Sequence, residues 1–184
     1  LLDGSQGSIL RLFLTGQGYE VDPQFDCSPG EKGAVIIRPL VDLVAVPLTN
    51  SYKATVMGID DTGNLLLCGP GILASNQTTL TPPDNGWGQI VSIAYSQNVL
   101  YVLDSKNNAV WRYDGSDLVF PDMPRLFFDR EVPRSSAYGY AQAILMERDP
   151  SESVSIEMPG RDTASGAPEL LILQDGHYVP AAEG

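Results

Sequence analysis

The chain has 184 residues, 43% of them hydrophobic, and these values predict a folded protein with a sizeable core rather than a disordered chain. Acidic residues outnumber basic ones by 23 to 11, which gives a formal net charge of −12. Phosphate groups are bound mainly through clustered Lys and Arg, so this balance argues against a nucleic-acid partner and against binding to an acidic membrane surface.

No stretch of about 18 consecutive apolar residues occurs, so no membrane-spanning helix is expected in this chain. The sequence opens Leu-Leu-Asp without a methionine, which predicts a processed protein or a piece of a longer chain. An anchor to a membrane or to a complex would then belong to the missing residues. An extracytoplasmic or cell-surface location is favoured, although two cysteines alone do not decide the compartment.

Short apolar strands separated by turns make up the first part of the chain. Ile9–Leu14 and Tyr19–Val21 form the first predicted hairpin, because the glycines between them adopt positive φ without steric cost. The next apolar run is interrupted by Pro39, which has no N–H to donate to a sheet. We therefore predict two strands here, Ala34–Ile37 and Leu40–Val46.

A second hairpin is predicted from Ala54–Ile59 and Leu65–Cys68, on either side of a turn rich in Asp, Gly and Asn. The following segment, Gly69–Gly88, contains three prolines and an Asn-Gly pair, which predict a loop. Apolar character returns at Gln89–Tyr95. This strand is the counterpart of Leu40–Val46, since the two align as VDLVAV with VSIAYS.

The most regular hairpin of the chain is Leu100–Tyr113, with the sequence LYVLDSKNNAVWRY. It repeats the preceding hairpin at a spacing of 44 residues, measured from Asp60 to Asp104. Repeats of about 40–50 residues with several short strands each are typical of β-propeller blades, whereas helical repeats need a 3.6-residue periodicity that is absent here. The predicted fold class is therefore all-β, a β-propeller with three to four visible blades. Because an open ring exposes unpaired strand edges, we expect part of a longer propeller, a compact four-bladed ring, or blades completed by a partner chain.

The repeats divide the chain into three predicted parts. Residues 1–128 contain about three blade repeats, and residues 129–168 form a polar insertion in the last blade. Residues 169–184 form a closing hairpin and tail, in which Asp175-Gly176 is a strong two-residue turn signal. An insertion inside a repeat usually decorates one face and often binds a partner.

Cys27 and Cys68 are the only cysteines and lie 41 residues apart, close to the repeat period. Each is predicted at the end of the second strand of a repeat, and each is followed by x-Pro-Gly. Equivalent positions on neighbouring repeats usually stand further apart than the roughly 4.4–6.8 Å between Cα atoms that a disulfide requires. We therefore predict two buried thiols, with a disulfide as the alternative. Metal binding is disfavoured because no histidine lies near either cysteine.

Residues with catalytic or metal-binding chemistry are few. Asp is common in turns because its side chain bonds the nearby backbone, and no segment has the spacing of a calcium-binding EF-hand loop. His177 is the only histidine, and no nucleophile elbow or phosphate-binding loop occurs. The sequence therefore predicts no catalytic, cofactor-binding or metal-binding residue, with calcium as the alternative. The acidic turn residues to which this applies are Asp60, Asp61, Asp104, Asp114 and Asp117.

Aromatic residues admit two interpretations. Trp111 and Tyr113 alternate on one strand, and packing between blades is the favoured role for such large rings. The alternative places Trp87 and its proline-rich loop on a binding rim, because aromatic residues are enriched in protein contacts. The candidate interaction surface that follows consists of Trp87, Asp84, Asn85, Tyr138 and Tyr140.

The segments Leu100–Asp104 and Asn107–Tyr113 resemble the repeat hairpin of the bacterial NHL-like and YVTN-like β-propeller superfamily. The resemblance covers roughly residues 9–128 and, more weakly, 169–180. It implies architecture rather than activity, since this superfamily contains binding, scaffold and sensor domains as well as a few enzymes. A fainter resemblance to gluconolactonase-type propellers implies a metal in a central funnel, but its ligands do not map onto positions of this sequence.

These features favour a non-catalytic β-propeller that serves as a protein-interaction or scaffold subunit of a larger assembly, with protein partners expected. The first alternative is a calcium-type, metal-dependent propeller hydrolase or lactonase, with carboxylates in the funnel. The second is an extracytoplasmic sensor or surface domain.

Overall fold

The computed structural model describes residues 1–107 and 109–127 with their side chains and, beyond them, the backbone of four strands. Every helix or strand among these described residues is a β-strand, so the prediction of an all-β chain is confirmed. The described strands form three two-stranded ribbons and three four-stranded sheets, in which neighbouring strands are antiparallel.

The two-stranded ribbons precede the sheets in the chain. Their strands are β1 (Leu2–Asp3) with β2 (Ser8–Ile9), β3 (Leu12–Thr15) with β4 (Gly18–Val21), and β5 (Gly30–Lys32) with β6 (Val35–Ile37). The first predicted hairpin is confirmed at its turn and second strand, because Leu12 pairs with Val21. Its first strand begins at Leu12 rather than at the predicted Ile9, which ends β2 and pairs with Leu2. The break predicted at Pro39 is confirmed as well, since β6 ends before it and the next strand begins after it.

In each four-stranded sheet the spatial order of the strands is their order in the chain. The first sheet contains β7 (Leu40–Ala45), β8 (Val56–Asp60), β9 (Asn64–Cys68) and β10 (Ser75–Thr79). The second contains β11 (Ile90–Ser96), β12 (Val99–Asp104), β13 (Ala109–Asp114) and β14 (Arg125–Leu126). The third contains β15 (Ala143–Met146), β16 (Val154–Met158), β17 (Glu169–Gln174) and β18 (His177–Pro180).

The first strands of the three sheets lie next to one another, because β11 contacts both β7 and β15. Two strands of the third sheet, β15 and β16, come from residues 129–168, the interval assigned to a polar insertion. The remainder of that interval lies outside the described residues.

The first strands of the first two sheets share one irregularity. The register shifts between Leu40 and Asp42 where β7 pairs with β8, and between Ile90 and Ser92 where β11 pairs with β12. The extra residue is therefore Val41 in β7 and Val91 in β11, the second residue of each strand, as in a β-bulge. This common register confirms the alignment of VDLVAV with VSIAYS.

Two apolar cores lie on opposite faces of the first sheet, because side chains alternate along its strands. Leu65 and Leu67 face the second sheet, whereas Leu66 and Cys68 face the ribbons. The first core also contains Met57, Ile59, Ile93, Leu100, Val102 and Tyr113. The second core also contains Ile9, Phe25, Cys27, Ile37, Leu40 and Val56.

Cys27 and Cys68 form a disulfide with 5.7 Å between their Cα atoms, so the prediction of two free thiols is wrong. That prediction placed both cysteines at equivalent strand ends of neighbouring repeats. Only Cys68 ends a strand, whereas Cys27 lies in the coil that follows β4. This coil is packed into the second core, where Phe25 and Cys27 are buried with Leu66. The two sulfur atoms therefore meet inside one core rather than at matching positions of two repeats.

The prediction that Gly69–Gly88 is entirely loop is also wrong, because β10 lies within it. This strand has the sequence SNQTT, without the apolar alternation that would identify it. Its pairing with β9 is irregular between Asn76 and Thr78. The Asn76 side-chain amide compensates by donating to the carbonyls of Leu65 and Thr78, at 3.0 and 2.9 Å.

Candidate functional site

The loop between β10 and β11 carries three of the five residues of the candidate interaction surface. Asp84 and Asn85 are exposed at its tip. A hydrogen bond of 2.7 Å from the Gly86 N–H to the Pro83 carbonyl closes the turn that presents them. The remaining two, Tyr138 and Tyr140, lie outside the described residues.

Trp87 is the third candidate residue in this loop. It packs against the first core and is not fully exposed. Its ring packs against the first core, with its centre 6.3 Å from that of Tyr113. The indole Nε1 is buried and has no hydrogen-bond partner among the described residues. It lies at the turn between β8 and β9, where a Cβ added to Gly63 would stand 3.1 Å from it. Trp87 therefore fixes one end of the loop between the first and second sheets.

Replacing Gly63 with alanine should lower the free energy of unfolding by about 1–2 kcal/mol, because Gly63 has a φ of +88° and faces the Trp87 ring. Gly71 provides a matched control, since its φ is +70° but no atom lies within 4 Å of the added Cβ. Urea unfolding of the Gly63→Ala and Gly71→Ala variants separates backbone strain from contact with Trp87. Equal losses in the two variants would contradict close packing of Trp87 on this turn.

The other end of the loop is held by Tyr113, which is 1% exposed. Its hydroxyl donates a hydrogen bond of 2.6 Å to the Thr81 carbonyl. Burial raises the pKa of Tyr113 well above its ordinary value, so the phenol remains protonated and able to donate. The neighbouring Leu80 is buried, and its N–H bonds the Gly63 carbonyl at 2.9 Å. The exposed tip therefore lies between two residues that are held by the first core, Thr81 on one side and Trp87 on the other.

Replacing Tyr113 with phenylalanine should lower the free energy of unfolding by about 1 kcal/mol, because the partly buried hydrogen bond to Thr81 is lost without a change of shape. The same variant should speed amide exchange in residues 81–86. The control is Tyr95→Phe, because the hydroxyl of Tyr95 makes an exposed bond of 3.1 Å to Asn98. If both variants exchange at the wild-type rate in this loop, Tyr113 does not hold it in place.

Asp60 is fully buried at the end of β8. Its Oδ1 accepts hydrogen bonds of 2.7–2.9 Å from the backbone N–H and hydroxyl of Thr62 and from the backbone N–H of Asn64. Its Oδ2 accepts from the Asn64 side-chain amide at 2.9 Å and from the Arg38 backbone N–H at 3.0 Å. Burial alone raises the pKa of Asp60, but these hydrogen bonds outweigh it and hold the pKa below its ordinary value.

Asp104 is fully buried at the equivalent position, at the end of β12. Its Oδ2 accepts from the Gly88 backbone N–H at 2.9 Å and from the Asn107 side-chain amide at 2.7 Å. Its Oδ1 accepts from the Gln89 backbone N–H at 2.8 Å. Gly88 and Gln89 directly precede β11, as Arg38 precedes β7. The interpretation of these aspartates as backbone-bonding turn residues is confirmed, and each one also fixes the beginning of the first strand of its sheet.

Asp42 is a third structural carboxylate, which the sequence analysis did not single out. Its Oδ2 accepts hydrogen bonds from the Ser92 hydroxyl at 2.7 Å and the Ile93 backbone N–H at 2.8 Å. Asp42 lies on β7 and its two partners on β11, so these bonds join the first and second sheets. The available signal was a single Asp within an otherwise apolar strand.

The remaining acidic turn residues bind donors as well. Their partners are Arg38 for Asp61, Arg112 and Arg125 for Asp114, and the Ser51 backbone N–H for Asp117. Among the residues that the structure describes, no group of three or more His, Cys, Asp and Glu side chains is placed to hold a metal ion. His177 lies on β18 and pairs with Gln174.

No protein-family model matches this chain. No curated protein matches it either. Within the described part of the chain, no helix is long and apolar enough to cross a membrane.

Proposed function

We propose that this chain is a non-catalytic protein of the β-propeller type that acts as a protein-interaction or scaffold subunit. Three four-stranded antiparallel sheets in chain order, with β11 beside β7 and β15, support this architecture. The equivalent bulges and buried aspartates of the first two sheets support a repeat of one structural unit. The first and second sheets share one apolar core between their faces, as expected for neighbouring blades.

The observation that carries the interaction role is the loop tip at Asp84 and Asn85. It is exposed, whereas the loop on either side is fixed by Trp87 and by the bond from Tyr113 to Thr81. A loop held in one conformation loses little entropy on binding, so it suits recognition better than a mobile loop does. A partner with basic or amide side chains would complement the carboxylate and amide presented there.

The disulfide between Cys27 and Cys68 supports action in an oxidising compartment. Disulfides persist in secreted, periplasmic and cell-surface proteins and are rare in the cytosol. The proposed subunit therefore acts outside the cytoplasm.

Site-specific photo-cross-linking tests the interaction role. A photoreactive amino acid at Asn85 should capture one protein of defined mass in the native source. The same group at Asp122, which is also exposed, serves as the matched control and should not capture that protein. A chain that is monomeric in native mass spectrometry and gives no specific cross-link from Asn85 would contradict the proposal.

A further inference from the structure

Asn85 differs from the other described asparagines in the surroundings of its side chain. It is exposed at the tip of its loop, and its side chain has no hydrogen-bond partner among the described residues. Every other described asparagine uses its side-chain amide to hold a turn or a strand in place. These bonded asparagines are Asn50, Asn64, Asn76, Asn98 and Asn107.

The residue that follows Asn85 leaves room for an intramolecular reaction. Asparagine is chemically labile, because the backbone nitrogen of the next residue can attack its Cγ and close a succinimide ring. A side chain on that next residue crowds the ring, but Gly86 has none, and no atom lies within 4 Å of a Cβ built on it. By contrast, the exposed Asn98 is followed by the β-branched Val99.

The folded loop restrains this reaction. The Gly86 N–H donates a hydrogen bond of 2.7 Å to the Pro83 carbonyl, which holds the nitrogen in the turn. The loop on either side is fixed by the bond from Tyr113 to Thr81 and by the packing of Trp87 on the first core. The nitrogen becomes free to attack only when the turn opens, so the opening equilibrium controls the rate.

We propose that Asn85 is a site of spontaneous deamidation whose rate is set by opening of the turn from Pro83 to Gly86. The Gly86 nitrogen loses its proton to solvent and forms a bond to the Asn85 Cγ, and the bond from Cγ to Nδ2 breaks as ammonia leaves. Water then opens the succinimide ring. Hydrolysis at Cγ gives aspartate, and hydrolysis at the main-chain carbonyl gives isoaspartate. Water is the only co-reactant.

The modification changes both the charge and the shape of the tip. Either product places a new carboxylate beside that of Asp84, so the tip gains one negative charge. Isoaspartate also routes the main chain through the former side-chain carbons, which lengthens the backbone and removes the spacing on which the bond from Gly86 to Pro83 depends. Asn85 is therefore a slow chemical switch at the exposed part of the loop.

This inference goes beyond the proposed interaction role and does not depend on it, because the reaction needs no partner. A chain that deamidates at Asn85 but gives no specific cross-link would overturn the interaction role alone. A chain that cross-links but keeps Asn85 unchanged would overturn the modification site alone.

Peptide mapping by mass spectrometry tests the site in the intact chain, incubated at physiological temperature and pH. Asn85 should convert before any other described asparagine, with isoaspartate and aspartate as products. A synthetic peptide of residues 81–89 should convert at least about tenfold faster than the chain, because in the chain two hydrogen bonds restrain the loop. Asn85→Gln is the matched control, since its longer side chain closes a ring far less readily, and it should stay unmodified.

A second measurement tests the restraint by the turn. Tyr113→Phe should deamidate about fivefold faster than the wild type, because the loop loses one net hydrogen bond. Tyr95→Phe is the control and should deamidate at the wild-type rate, since its bond to Asn98 belongs to another turn. An unchanged Asn85 after the peptide has fully converted, or earlier conversion of Asn98, would overturn the site. Equal rates in the wild type and Tyr113→Phe would overturn control by the turn.

Discussion

Replacing both Cys27 and Cys68 with alanine should lower the free energy of unfolding by about 4 kcal/mol. The disulfide closes a loop of 41 residues, and the loss follows from the greater chain entropy of the unfolded state without it. Urea unfolding of the oxidised wild type and of the double variant measures the difference. Both cysteines are buried, at 1% and 0% exposure, so alanine is a better replacement than serine, which would bury a hydroxyl group.

The single variants Cys27→Ala and Cys68→Ala are the matched controls for this prediction. Each breaks the same bridge, so each should lose nearly as much stability as the double variant. Wild-type protein unfolded in the presence of a strong reductant should reach the same value. A double variant within about 1 kcal/mol of the oxidised wild type would show that the second core alone holds the ribbons on the first sheet.

Asp60→Ala should have the second largest effect, a loss of about 3 kcal/mol in the free energy of unfolding. The substitution leaves the partly buried N–H groups of Arg38 and Thr62 and the buried N–H of Asn64 without their acceptor. Asp84→Ala serves as the control and should change stability by less than about 0.5 kcal/mol, because Asp84 is exposed. Chemical denaturation measures both, and similar values for the two variants would refute the structural role of Asp60.

The same carboxylate predicts how stability depends on pH. The pKa of Asp60 is lower in the folded chain than its ordinary value, so its contribution is fully present above the unfolded pKa of about 3.9. The contribution is lost as the pH falls through the lower folded pKa. Urea midpoints of the wild type should therefore decline below about pH 4, and the decline should be shallower in Asp60→Asn.

The features of this fold that could be predicted are those determined by residues close together in the sequence. Pro39 ends a strand because it lacks an N–H, and the turn between Asp60 and Asn64 satisfies its own backbone groups. The strand β12 is apolar and buried along its whole length, with Leu100 in the first core and the Tyr101 ring on the other face against Phe127. Such features are present in short stretches of sequence.

The parts that could not be predicted depend on contacts between distant residues. The strand β10 is polar, and its pairing depends on the Asn76 amide bridging an irregular register. The disulfide depends on a coil that brings Cys27 into the second core. Of the candidate surface, the exposed tip at Asp84 follows from local turn residues, whereas the packing of Trp87 against Tyr113 joins residues far apart in the chain.

The bonds of Asp42 have a consequence for how the chain responds to stress. They connect the first sheet to its immediate neighbour through Ser92 and Ile93 and to no sheet further away. When each sheet is bonded mainly to its neighbour, the loss of structure in one sheet destabilises mainly the sheet next to it. Under force or heat, the first sheet, covered on both faces, should be among the last of the described units to open.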